Sequence, residues 1–96
     1  MMLQSIRSFT LEYIYSEIQA RAGAIVEVTL DQQANVRLLD PTNYSHFKSG
    51  QQCRGYGGRA LRSPLRLQVP SSGTWYVVID LGGSGGTIRH SVRIVN

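Results

Sequence analysis

The chain has a single cysteine, Cys53. That excludes an internal disulfide framework and a zinc site built on paired cysteines. Three prolines and ten glycines without a regular repeat exclude a collagen-type rod. No apolar run approaches the ~20 residues that a membrane-crossing helix needs, so no membrane partner is expected. The opening Met1-Met2-Leu3-Gln4 has no basic stretch followed by a long apolar one. No signal peptide is therefore expected, and the cytoplasm is the expected compartment. Acidic residues are scarce, six against ten basic ones, which gives a net charge of +4. None lies between Asp40 and Asp80, and every basic residue except Lys48 is arginine.

What is present is enough apolar material for one core. Hydrophobic residues make up 42% of 96 residues, which suits one domain, residues 1–96, and is too short for two. The main local signal is alternation of apolar and polar residues, the period of a strand. Phe9, Leu11, Tyr13 and Tyr15 share one face of a strand over residues 9–15. Residues 16–22 either extend it or form one helical turn. Ala24, Val26, Val28 and Leu30 share a face, and residues 35–39 read as a short second strand. The short polar connection between them predicts a hairpin. Asp40-Pro41-Thr42-Asn43 has turn chemistry. Residues 44–63 show no period, and a connection this long is often functional. Leu65, Leu67 and Val69 resume the alternation after Pro64.

Residues 74–81 carry Trp75, Val77, Ile79 and Leu81 on one face and Tyr76 and Val78 on the other, the mark of a central strand covered on both sides. Ile88, His90, Val92 and Ile94 share parity in a last strand, which predicts a half-buried His90. Short turns and no long helix predict an all-β fold, a small antiparallel β-sandwich, jelly-roll-like, of five to eight strands.

Two stretches carry a resemblance: Asn35-Val36-Arg37-Leu38-Leu39-Asp40 followed by Asn43-Tyr44, and residues 57–83, from Gly57-Gly58 through Arg62-Ser63-Pro64 to Thr74-Trp75-Tyr76-Val77-Val78-Ile79-Asp80-Leu81-Gly82-Gly83. Together they resemble the bacterial domain of unknown function 1883 family over the last two-thirds of the chain; residues 1–22 resemble it poorly. Members occur alone or beside a TIR-type domain. The resemblance implies a compact β-sandwich and a bacterial source. It supplies no activity and no catalytic residue.

Four constellations compete for a function. The acid-free interval holds Lys48, Arg54, Arg59, Arg62 and Arg66 interleaved with Tyr44, Phe47 and Tyr56. Cations for phosphates and rings for bases are what single-stranded nucleic acid needs, although a solvated basic surface has the same composition. The run Gly82-Gly83-Ser84-Gly85-Gly86 lacks the Lys and helix of a phosphate loop and predicts a hairpin loop. Gly55-Tyr56-Gly57-Gly58-Arg59 is either a binding loop or a bend between sheets. Cys53 beside Arg54, with His46, His90 and Asp80, offers a nucleophile and bases but no recognisable triad or metal spacing. Trp75 belongs to the core, and Asp80 to the turn that follows it.

A non-enzymatic binding module is the leading expectation, with no cofactor and no metal. A protein partner or small ligand would meet Tyr44, Phe47, Lys48, Arg54, Tyr56, Arg59, Arg62 and Arg66. Polyanion or nucleic-acid binding through the same arginines is the alternative, and a small hydrolase the third reading. A homo-oligomer is one way to protect the edge strands of a sandwich.

Overall fold

Alternating apolar residues put one face of each strand against a common interior. The computed structural model describes residues 13–82 and 87–96. Its elements are β1 (Ile14–Ala20), β2 (Ile25–Leu30), β3 (Ala34–Leu39), α1 (Pro41–Lys48), β4 (Tyr56–Ala60), β5 (Leu65–Gln68), β6 (Gly73–Asp80) and β7 (His90–Val95). Two antiparallel sheets, ordered β1-β6-β3-β4 and β5-β2-β7, pack face to face. The fold is a small all-β sandwich. Among the described residues it has seven strands, one fewer than the eight of a jelly roll.

Between the sheets lie Val26 and Val28 of β2, Val36 and Leu38 of β3, and Trp75, Val77 and Ile79 of β6, each at most 7% exposed. Full burial of such side chains contributes about 1.5–3 kcal/mol each, more than any local propensity in the chain. Trp75 is core, as expected, and its Nε1 donates to the Ser71 carbonyl at 2.8 Å. β6 is central and is buried on both faces over Val77–Asp80. Residues 16–20 extend the first strand. Phe9 and Leu11 lie outside the described residues.

The expected hairpin between residues 24–30 and 35–39 does not form. β2 pairs with β5 and β7, whereas β3 pairs with β4 and β6. Asp31-Gln32-Gln33 instead arches from one sheet to the other, so that the apolar faces of both strands meet in one interior. Five of the six steps between consecutive strands change sheet in this way. The step from β6 to β7 is among them, so the glycine run does not close a hairpin either. Of that run only Gly82 is described. His90 is exposed rather than half-buried, because it opens β7 at the sheet edge opposite Leu30.

The expected turn at residues 40–43 is the start of a helix. Asp40 is the N-cap, its Oδ1 accepting from the Asn43 N–H at 2.7 Å, and Pro41 follows at the first helical position. There a missing N–H costs nothing. α1 buries Tyr44 and Phe47 against Leu39 and Val78 on the outer face of the four-stranded sheet. The aperiodic interval thus hides a short helix and an edge strand.

Candidate functional site

β4 is the outermost strand of its sheet. Its register against β3 pairs Leu38 with Tyr56, Arg37 with Gly57, Val36 with Gly58, Asn35 with Arg59 and Ala34 with Ala60. Only Ala60 is buried. Gly57 is required where it stands: its φ is +115°, and a Cβ there would overlap the Val36 carbonyl oxygen. Gly55, just before the strand, has no room for a Cβ, which would overlap the Leu39 side chain and the Leu38 carbonyl. The backbone of β4 is therefore packed tightly on β3, and among the described residues no strand pairs with its far side. The loop leading into it is anchored by Asn43, whose Oδ1 accepts from the Arg54 N–H at 2.7 Å.

Four large apolar side chains are exposed among the described residues, and two of them bracket this strand: Tyr56 at 51% and Leu61 at 63%. Tyr56 meets Trp75 edge-on, with ring centres 6.2 Å apart. Arg59 donates through Nη2 to Gln33 Oε1 at 3.1 Å, which draws its guanidinium along the sheet face. Arg54 and Arg62 are exposed just before and just after the strand. Residues 56–59 of that segment thus lie in an edge strand, with Gly55 just before it; the crossing to the other sheet comes after it.

The eight residues expected to share one surface are divided. Tyr44 and Phe47 are each 6% exposed, in the small core beneath α1, and have little surface to offer a ligand. Lys48 is exposed at the end of α1, its Nζ 5.0 Å from the Tyr44 ring centre. Arg66 lies on the outer face of the opposite sheet, where it and Arg93 both bind Glu27 at 2.9 Å. Arg54, Tyr56, Arg59 and Arg62 remain as neighbours along one stretch of chain. Sequence reasoning missed Leu61, whose exposure follows from its place just past the end of β4.

Two polar networks are structural. Asp80 Oδ1 accepts from Asn35 Nδ2 at 2.9 Å and from the Gly82 N–H at 2.8 Å, the turn role expected of it. Its Oδ2 accepts from Arg37 Nη1 at 2.7 Å. Burial pushes this carboxyl up, but the hydrogen bonds from Asn35, Gly82 and Arg37 outweigh it and hold the pKa below the usual carboxylate range. Its partners leave Asp80 no histidine to orient. Tyr44 stacks on Tyr76 with ring centres 4.0 Å apart, and its hydroxyl lies 3.3 Å from that of Tyr13. Burial first, then that hydrogen bond and the neighbouring tyrosines, raise its pKa well above the ordinary phenol. Cys53 is half-buried against the same cluster. Among the described residues no three His, Cys, Asp or Glu side chains gather as metal ligands, and no helix is long and apolar enough to cross a membrane.

A family model described as Domain of unknown function (DUF1883) matches residues 11–96. The match takes in β1, ahead of the stretches that carried the resemblance. No curated protein and no solved structure matches the chain.

Proposed function

The chain belongs to the DUF1883 family, and we propose that it is a non-enzymatic interaction module whose contact surface is the β4 side of the sandwich. One observation carries this reading: a strand that is an edge among the described residues, carrying exposed Tyr56 and Arg59 and flanked by exposed Arg54, Leu61 and Arg62. Tyr and Arg are common anchors of protein interfaces, and here a rigid sheet presents them. A cytoplasmic, bacterial setting fits a chain with no internal disulfide and the family resemblance.

The test places a photo-crosslinking residue at position 56 in the full chain, in the cells that encode it. One saturable adduct, lost when Arg59 and Arg62 are both changed to Ala, supports the reading. An adduct unaffected by those changes, or none, overturns it.

The same arginines favour a second reading, polyanion binding. Its signature is affinity for a fluorescent single-stranded oligonucleotide that falls steeply with salt through counterion release and disappears in the Arg59→Ala/Arg62→Ala variant.

A further inference from the structure

We infer that the free edge of β4 takes an extended acidic segment of a partner protein as an added strand. This rests on the reading of β4 as the contact surface and specifies what occupies it.

The backbone makes the first half of the case. In an antiparallel ladder alternate residues direct their N–H and C=O groups away from the neighbour. Among the described residues β4 ends its sheet, with β3 as its one neighbour. Among the described residues, no backbone hydrogen bond outside the ladder engages residues 56–60. Edges of this kind are normally blunted by lysine, proline or a covering loop. β4 has neither lysine nor proline, two of its five residues are glycines, and its one charge is drawn toward Gln33. A row of alternating donors and acceptors is matched by another peptide backbone. Nucleic acid offers phosphate acceptors without the matching donors, so it fits the arginines but not the edge.

The side chains name the sign of the partner. Arg54, Arg59 and Arg62 lie within nine residues, and no acid occurs between Asp40 and Asp80. A second copy of this chain docking edge to edge would set the same arginines against each other, whereas an acidic segment pairs with them. Tyr56 and Leu61 add apolar contact at the two ends of the strand.

The probe is a capped heptapeptide alternating glutamate and valine, titrated against the full chain. Three measurements go together: fluorescence anisotropy, amide hydrogen exchange across residues 56–60, and sedimentation of the free protein. We expect binding that slows exchange over β4. A lysine-for-glutamate peptide should bind at least about tenfold more weakly. The same acidic peptide N-methylated at alternate residues, which cannot complete the ladder, should lose about tenfold. Arg59→Glu/Arg62→Glu, both at exposed positions, should reverse the preference between acidic and basic peptides.

If N-methylation has no effect and exchange over β4 is unchanged while Arg59→Glu/Arg62→Glu still weakens binding, the arginines dock a partner without strand addition. That outcome defeats the inference and leaves the interaction module standing. No binding of the acidic peptide, or a dimer of the free protein with β4 protected, overturns the inference as well.

Discussion

Arg37 reaches diagonally across the β3–β6 ladder to Asp80: its Nη1 stands 2.7 Å from Oδ2, although the residue directly opposite Asp80 is Asn35. The Asp80 side chain is only 7% exposed and that of Arg37 38%. Loss of the arginine would strand a buried carboxylate, while loss of the carboxylate releases an arginine that can turn to water.

We expect Asp80→Ala to cost about 1–3 kcal/mol in urea unfolding, chiefly from the Asn35 and Gly82 donors left without an acceptor. Because the folded pKa of Asp80 is depressed, its contribution is fully present above the unfolded value near ~3.9 and is lost as pH falls through the folded value. Urea midpoints between about pH 5 and pH 2 should show the wild type losing part of its stability where Asp80→Asn does not. Parallel curves would contradict this.

Tyr44 behaves in the opposite sense. Its raised pKa gives stability that is present below the unfolded phenol value of ~10 and lost as pH rises through the folded value. Absorbance at the phenolate band should show the Tyr44 component ionising only together with unfolding. Tyr44→Phe should remove that coupled titration.

Gly57→Ala tests the packing of β4 on β3. The positive φ alone is expected to cost about 1–3 kcal/mol, and overlap with the Val36 carbonyl adds to it. Gly58 also has a positive φ, but a Cβ there meets nothing within 4 Å. Gly58→Ala should therefore be the milder of the two in thermal melts.

Arg66→Ala separates the two faces of the molecule. Arg66 shares Glu27 with Arg93 and its side chain is 61% exposed, so the change should cost less than about 1 kcal/mol. It should leave binding at β4 unaltered, whereas Arg59→Ala should weaken it. Equal losses would return Arg66 to the contact surface.

Much of the sandwich was legible because alternation reports which face of a strand is buried. Val26, Val28, Trp75, Val77 and Ile79 all point where their parity put them. Alternation does not report which strand lies alongside. β2 and β3 have the pattern of a hairpin and the length of one, yet their common interior is reached by arching between sheets. Asp40-Pro41 was ambiguous for a different reason: the same residue types open a turn and cap a helix. What decided it was Tyr44 and Phe47, one helical turn apart, finding cover under Leu39 and Val78. Those two rings looked like ligand contacts in the sequence because a helix of eight residues is too short to show a period, although Tyr76 and Val78 had already marked the outer face they cover. Of the expected surface, Arg54, Tyr56, Arg59 and Arg62 lie along one stretch of chain at β4, whereas Arg66 stands on the outer face of the other sheet.

The arches between sheets also govern how the molecule is made. Of the consecutive strands among the described residues, only β3 and β4 are ladder partners. β1 and β3 both wait for β6, and β2 waits for β5 and β7. A nascent chain therefore has one marginal hairpin to form until residues 65–68 emerge to pair with β2 and residues 73–80 to join β1 and β3. Contacts this distant in sequence give a high relative contact order, and all-β domains of that kind fold on the order of milliseconds to seconds. Until then the strand that ends up as an exposed edge is among the first to be paired, on its β3 side alone.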